Sequence, residues 1–209
     1  MDTTTPTPGG ARSRNRRGQG ERLREDIIAA ALRLLDELAD DQALSLRAVA
    51  REIGIAATSV YIHFADRDAL VFAAMERCNS DLINAIDQAE AASDDPVAKL
   101  RARVLLQGQW AYQHAGLYKV LHESTLNQRM PMPFKTVLGE RTTAAIQRCM
   151  DAGLAPTGDD SATVALDLRA AVHGAVSMRL NQPDHRLPPL EEQVDRFLTK
   201  LVGVTPASR

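Results

Sequence analysis

The sequence predicts an all-α protein with about nine helices, and three observations lead to this fold class. Only 4% of the 209 residues are aromatic, whereas alanine and leucine are abundant and runs of β-branched residues are scarce. Apolar residues recur every three or four positions over most of the chain, which is the spacing of a buried helix face. The hydrophobic fraction of 44% is enough for one large core or two small ones.

The first 20 residues differ in composition from the rest of the chain. They combine threonine, proline, glycine and arginine with almost no apolar residue, so they cannot bury enough surface to offset the entropy of ordering. Six arginines and only two acidic residues lie between residues 1 and 24, although the formal net charge of the whole chain is -2. We interpret residues 1–20 as a disordered basic arm and residues 204–209 as a disordered tail.

Capping and helix-breaking residues delimit the first four predicted helices. Ser45 is a suitable N-cap for a short helix that Gly54 ends, and Asp66 is a suitable N-cap for a long helix. The periodic positions begin at Glu21, and the helix that starts there extends over about 19 residues. The four predicted helices comprise residues 21–39, 46–53, 56–64 and 67–91.

Five further helices are separated by joints that contain proline or glycine. Pro96 stands in a first turn, where its missing N–H group is tolerated, and Gly116 ends the helix that follows it. These helices comprise residues 97–114, 117–126, 134–152, 161–181 and 190–202.

The cysteines and the hydropathy pattern exclude several classes of protein. Cys78 and Cys149 lie far apart and have no partner at metal-ligand spacing, which argues against a disulfide framework and a zinc site. No apolar run approaches the roughly 20 residues needed to span a bilayer, and the N-terminus lacks the apolar segment of a signal peptide. We expect a cytoplasmic protein with no cofactor, no metal and no membrane partner.

Residues 45–64, SLRAVAREIGIAATSVYIHF, have the parts of a helix-turn-helix in order. These parts are a short support helix, a tight turn with a glycine, and a second helix with small polar and aromatic groups on its exposed face. Gly54 stands where a left-handed backbone conformation is needed. The apolar skeleton consists of Leu46, Val49, Ala50, Ile53, Ile55, Val60 and Phe64.

The run from Glu21 to about Leu70, and above all VYIHFADRDAL within it, resembles the N-terminal domain of the TetR family of transcriptional regulators. The resemblance implies a three-helix DNA-binding domain at 21–66 and a helical ligand-binding and dimerisation domain at 67–203. It further implies a nucleoid-associated repressor that binds a palindromic operator in double-stranded DNA as a homodimer. An unidentified small-molecule effector would release it.

The resemblance also implies the DNA contacts residue by residue. Thr58 and Ser59 would present hydroxyls to base edges or phosphates, with helix capping as the alternative, and Ile62 would lie against a thymine methyl group. Arg47 corresponds to a position that often reaches the groove or the backbone. The predicted set is Arg47, Ala57, Thr58, Ser59, Tyr61, Ile62, His63 and Arg67.

Three of these residues resemble phosphate-contacting positions, and each has a structural alternative. Tyr61 can instead pack between helices, and His63 can bond to a backbone carbonyl. Arg67 matches a basic position at the start of the next helix and can instead pair with Asp66 or Asp68 when DNA is absent. The basic arm would add either minor-groove and phosphate contacts or only solubility.

One position departs from the family pattern. The second helix of the motif usually starts at a capping serine or threonine, but Ala56 stands there. Loss of a cap costs about 1 kcal/mol. Because Thr58 could start the helix instead, the register of the base-contacting residues is open by one position.

The two last long helices are the predicted dimerisation elements, because two recognition helices must be held about 34 Å apart to read successive half-sites. The run AVHGAVSMRLN resembles a His-Gly motif of one TetR subgroup, in which a tryptophan commonly precedes the histidine; Arg169 stands in its place. The apolar stripes of these helices are Val164, Leu168, Ala171, Val172, Ala175, Met178, Leu190, Val194, Phe197, Leu198 and Leu201.

Aromatic, histidine and methionine residues between the motif and these helices predict an effector cavity, although core packing uses the same residue types. For His173 and Gly174, close approach of helices is the alternative to ligand contact. The predicted ligand contacts are Trp110, His114, Tyr118, His122, Phe134 and His173.

Two other classes of function compete with the regulator. His114, His122 and Glu123 could form an acid–base group, but no activated nucleophile, phosphate loop or metal-ligand cluster accompanies them, so we predict that the protein is not an enzyme. The alternative that stays open is a helical adaptor or an architectural DNA-binding protein without a ligand response.

Overall fold

A computed structural model describes residues 15–182, 184 and 186–206, with side chains from residue 19 onwards, and every regular element within them is helical. The predicted all-α class is therefore confirmed. The α-helices are α1 (Asn15–Leu38), α2 (Leu46–Glu52), α3 (Ala57–His63), α4 (Arg67–Glu90), α5 (Pro96–Gln113), α6 (Ala115–Glu123), α7 (Leu126–Arg129), α8 (Phe134–Asp151), α9 (Ser161–Asn181) and α10 (Leu190–Phe197).

The nine predicted helices correspond to α1–α6 and α8–α10. The sequence did not indicate the single turn α7, a 3-10 turn at Asp41–Ala43, or the π-helical geometry of the last predicted turn, Leu198–Val202. The predicted caps are confirmed, because Ser45 Oγ accepts a hydrogen bond from Ala48 N at 3.1 Å and Asp66 Oδ1 accepts one from Ala69 N at 2.8 Å.

Both terminal boundaries differ from the prediction. Helix α1 begins at Asn15, six residues before the predicted start, so the expected arm is helical over its last residues. At the other end Val204 is only 1% exposed and packs into a core, because Gly203 turns the chain back with a φ of 77°. Residues 1–14 of the expected arm and 207–209 of the expected tail lie outside the described residues.

The helix-turn-helix shares its core with the helices that follow it. Ile27 and Leu35 of α1 pack with Val49, Val60 and Leu70, and the same core includes residues of α6 and the start of α8. The apolar skeleton predicted for the motif faces this core, with Ile53 and Ile55 at its edge. The motif is therefore anchored on the helices that lie beneath it.

A second core joins α5, α8, α9 and α10. Leu100, Ile146, Cys149 and Leu198 are its most buried members. Arg101 of α5 donates to both carboxylate oxygens of Asp195 on α10 at 2.6 and 3.0 Å. Several residues predicted for a dimer stripe, namely Val164, Leu168, Ala175, Val194 and Leu198, are buried within the chain. That part of the expected stripe is therefore wrong, because α9 is apolar on more than one face and uses one of them internally.

Two features of the described residues bear on the predicted class of protein. None of their helices is both long enough and apolar enough to cross a membrane. Cys78 and Cys149 are free and buried, and burial raises the pKa of the Cys78 thiol to about 12.

Candidate nucleic-acid interface and ligand cavity

The turn between α2 and α3 determines where α3 begins. Gly54 has a φ of 70°, the left-handed conformation that the sequence predicts at this position. Ala56 is the N-cap of α3 and supplies no side-chain hydrogen bond, so α3 begins at Ala57. The predicted absence of a cap at Ala56 is confirmed, and α3 starts at Ala57 rather than at Thr58.

Helix α3 exposes two large side chains. The exposed fraction is 53% for Tyr61 and 81% for Ile62, whereas Val60 and Phe64 on the opposite side are buried. An isoleucine this exposed does not contribute to the core, and such exposure is typical of a surface that binds a partner. Tyr61 is therefore not packed between helices, which was its structural alternative.

The polar residues of the predicted interface stand around these two. Thr58 and Arg47 are exposed, and Ala57, Ser59 and His63 are partly exposed. Among the described residues, the side chains of Thr58, Ser59 and His63 form no hydrogen bond, so neither capping nor a bond from His63 to a carbonyl uses them. The hydrogen-bonding groups of α3 are thus available to an external partner.

Arg67 is already paired. Its Nε and Nη2 donate to Asp68 Oδ1 at 3.2 and 3.1 Å, and its Nη1 donates to the carbonyl of Gln42 at 3.3 Å. Asp68 also accepts from Arg129 Nη1 of α7 at 3.0 Å. Of the two predicted alternatives the structure shows the pair with Asp68, since Asp66 caps α4.

A cavity of about 680 Å³ lies between α4, α5, α6, α8 and α9. Four of the six predicted ligand residues line it, namely Trp110, Tyr118, His122 and His173. Most of the remaining lining is apolar and comes from leucine, valine and alanine side chains of these helices. This volume and this mixture of apolar and polar groups are typical of small-molecule sites.

The structure places the other two predicted ligand residues away from the cavity lining. His114 Nδ1 lies 3.0 Å from Asp36 Oδ2, so the imidazole is held against α1. Phe134 packs in the first core, edge-on against Phe72 with the ring centroids 5.5 Å apart. Both expectations are corrected, since aromatic character in the sequence did not reveal which neighbour each ring faces.

The polar lining forms a connected group. The hydroxyl of Tyr118 is hydrogen-bonded to His173 Nδ1, and the rings of His122 and His173 lie with centroids 4.7 Å apart. The pKa of His122 is lowered to about 4. Desolvation is the largest cause, and electrostatic repulsion from His173, Lys135 and Arg169 adds to it. Although His122 keeps surface open to the cavity, the protein surrounds the ring closely enough for this effect.

Two cations that were not predicted from the sequence, Lys135 and Arg169, also line the cavity. Lys135 Nζ donates to the carbonyl of Leu121 at 2.5 Å and to Asn127 Oδ1 at 2.9 Å, and burial lowers the pKa of the amine. For Arg169 a signal existed, because it stands where the His-Gly subgroup has a tryptophan. The sequence offered no such signal for Lys135.

The cavity wall is joined to α1 through α6, the helix that carries Tyr118 and His122. Asp36 Oδ1 of α1 accepts from the backbone N–H groups of Gly116 and Leu117 at 3.0 and 3.1 Å, and so caps α6. A Cβ atom on Gly116 would lie 1.9 Å from the carbonyl oxygen of Asp36, so only glycine permits this approach.

Two family models match this chain. Residues 27–74 match the model of the bacterial regulatory proteins of the tetR family, and residues 100–204 match a tetracyclin repressor-like C-terminal domain. The HTH-type transcriptional regulator Rv1816 of Mycobacterium tuberculosis and its counterpart Mb1846 of Mycobacterium bovis are each 32% identical over 152 residues, or 69% of this chain. The chain spans 62% of the length of these relatives.

Solved structures share the fold. A protein with unknown function from Rhodococcus sp. RHA1 is 25% identical, with a TM-score of 0.72 over 86% of this chain and 95% of that one. The transcriptional regulator FadR from Bacillus subtilis, solved in complex with stearoyl-CoA, has the same TM-score at 15% identity, over 85% of this chain and 97% of that one. At that identity the second likeness shows the fold alone.

Proposed function

This chain belongs to the TetR family of transcriptional regulators, and from that membership we propose that it is a repressor that binds a palindromic operator as a homodimer and is released by a small-molecule effector. The exposed face of α3 carries the DNA-binding part of this proposal. An isoleucine that is 81% exposed beside a tyrosine that is 53% exposed has no use in the isolated chain. Both side chains fit a major groove, where thymine methyl groups and phosphates are within reach.

The proposed DNA contacts keep the predicted set. Thr58 and Ser59 stand in the first turn of α3, which begins at Ala57, and Tyr61 and His63 stand in its last turn. We assign base contacts to the first pair with Ile62, and phosphate contacts to the second pair. The full set is Arg47, Ala57, Thr58, Ser59, Tyr61, Ile62, His63 and Arg67.

The proposed dimer interface is a stripe along α9, of which Leu166 and Ala170 also border the cavity. Leu166, Ala170, Gly174 and Met178 follow each other at intervals of four residues, so they form one stripe. Leu166 and Met178 are 55% and 43% exposed, and a Cβ atom on Gly174 would meet nothing within 4 Å in the chain itself. Such a stripe lets the same helix of a second copy approach closely, as a two-fold interface requires.

The proposed release mechanism uses the joint between α6 and α1. A ligand in the cavity contacts Tyr118 and His122, and the α6 helix that carries them is capped by Asp36 of the recognition domain. A ligand that prefers one position of α6 thereby shifts the population of dimers whose recognition helices fit successive grooves.

Fluorescence anisotropy with a labelled DNA segment from upstream of the gene tests the DNA-binding proposal. We expect sequence-preferring binding that weakens steeply as salt rises, because neutralised phosphates release counterions. Tyr61→Ala should weaken the complex, whereas Arg148→Ala, an exposed arginine near the end of α8, should not.

The adaptor alternative predicts the opposite result in the same measurement. Operator and scrambled DNA would then bind equally, and Tyr61→Ala would have no effect on either. Circular dichroism of each variant shows whether a loss of binding reflects a loss of fold.

A further inference from the structure

The charged groups that line the cavity all have one sign. Lys135 and Arg169 contribute an ammonium and a guanidinium group, and His122 and His173 contribute two imidazoles. Among the described residues, no aspartate or glutamate lines the cavity, and Glu123 of α6 acts on the pKa of Tyr118 from outside the lining. The site therefore has an excess of positive charge and no carboxylate of its own.

Arg169 is the cation most available to a ligand. It is exposed, it lies one helical turn before His173 on α9, and its Nη1 would be 3.7 Å from a Cβ atom on Gly139 of α8. Among the described residues it takes part in no ion pair and no side-chain hydrogen bond. A guanidinium group with all five N–H donors free, at the edge of a cavity, is suited to bidentate binding of a carboxylate or phosphate.

The other basic groups are close to this one. Lys135 uses two of its three N–H donors on Leu121 and Asn127, which leaves one donor for a ligand. The rings of His122 and His173 lie with centroids 4.7 Å apart, and all four groups line the same cavity. We call Arg169, Lys135, His122 and His173 the basic cluster.

The rest of the lining accommodates an apolar body. Leu82, Val104, Leu168 and Val176 come from α4, α5 and α9 and face the same cavity, together with the indole of Trp110. A volume of about 680 Å³ admits a ligand of ordinary small-molecule size. The cavity thus combines an apolar surface with two cationic side chains, Lys135 and Arg169, and its lining among the described residues has no carboxylate.

We propose that the effector is an amphipathic anion, whose carboxylate or phosphate binds the basic cluster through Arg169 and whose apolar part lies along the leucine and valine side chains. This inference rests on the proposed function, since it names the class of ligand for the effector cavity. An anion is attracted by the charges of Arg169 and Lys135, and partial burial strengthens that attraction.

The only tryptophan of the chain, Trp110, lines the cavity, so its fluorescence reports binding directly. Four probes share a ten-carbon chain and differ in the head group: decanoate, decanoyl-CoA, decanol and decylammonium. In titrations without DNA, we expect decanoate or decanoyl-CoA to bind at least about tenfold more tightly than the neutral and cationic probes, because a charge-assisted hydrogen bond contributes that much. The two anions distinguish a free carboxylate from a phosphate-bearing thioester.

Substitutions at Arg169 test the assigned residue. Arg169→Gln should weaken binding of the anionic probe about tenfold, Arg169→Lys should restore part of it, and Arg169→Glu should shift the preference to decylammonium. Arg148→Gln is the matched control, since Arg148 is exposed and is not part of the lining. It should leave every affinity unchanged.

Three results would overturn the inference. They are equal affinity for decanoate, decanoyl-CoA and decanol, tightest binding of decylammonium by the unaltered protein, and no binding of either anion by protein that still binds its operator. Operator binding is measured separately by anisotropy. Anion binding without operator binding would contradict the proposed DNA-binding function and leave the ligand class standing.

Discussion

The recognition helix α3 and the cavity differ in the partners that their polar side chains already have. Thr58, Ser59 and His63 form no side-chain hydrogen bonds among the described residues, whereas Tyr118 and His173 of the cavity are bonded to each other. Groups on α3 therefore meet DNA without first breaking internal contacts. Groups in the cavity form a network that a ligand has to join or replace.

The charges of the two regions show the reverse pattern. Arg67 was predicted to bind phosphate, but it is paired with Asp68. Arg169 had no predicted binding role, and it is unpaired within the described residues. The type and the position of a residue thus indicate where a cation stands. Whether the cation is available depends on neighbours that are distant in sequence.

The joint between the two regions should show the largest effect on stability. Gly116→Ala places a methyl group 1.9 Å from a backbone oxygen of α1, where no side chain can yield. We expect the free energy of unfolding to fall by about 1–3 kcal/mol in urea denaturation. Gly20→Ala, a helical glycine with nothing within 4 Å, is the control and should be neutral or stabilising. Equal stability of both variants would contradict the close α1–α6 contact.

The exposed face of α3 should show an effect on DNA binding alone. Ile62→Ser should weaken operator binding about tenfold, since a good base contact contributes about 1–3 kcal/mol, and should change the free energy of unfolding by less than about 0.5 kcal/mol. Val60→Ser, on the buried side of the same helix, should instead lower stability. If Ile62→Ser binds operator normally in anisotropy, the assigned face is wrong.

The missing cap of α3 predicts a smaller gain. Ala56→Ser supplies an oxygen for the free N–H groups of the first turn and should raise the free energy of unfolding by about 1 kcal/mol. Ala29→Ser, at an exposed position inside α1, offers no such bond and should give no gain. Thermal denaturation of the two variants measures the difference.

His122 predicts the smallest effect, on the pH dependence of stability. Its folded-state pKa of about 4 lies below its unfolded value of 6.5, so between these values the unfolded chain binds more protons. The free energy of unfolding should therefore decrease as the pH falls from 6.5 to 4, and His122→Gln should make the decrease shallower. An NMR titration that placed the pKa of His122 near 6.5 would remove the basis for this expectation.

The sequence was sufficient for features whose causes are local. The spacing of apolar residues gave the helices, Ser45 and Asp66 gave the caps, and the left-handed turn at Gly54 and the uncapped start of α3 were predicted where the structure has them. Each depends on residues within one or two helical turns. The same spacing placed α1 six residues too late, because polar residues can extend a helix whose apolar face begins further on.

The cavity and its charge were decided only by the tertiary structure. Lys135 and Arg169 are 34 residues apart in the chain and come together with His122 because α6, α8 and α9 pack around one space. His114 and Phe134 have the same residue character as the true lining but face Asp36 and Phe72. The period of a helix determines which side chains share a face. The neighbouring helices determine which of several apolar faces packs in the core, lines a cavity or stays exposed for contact with a second copy of the chain.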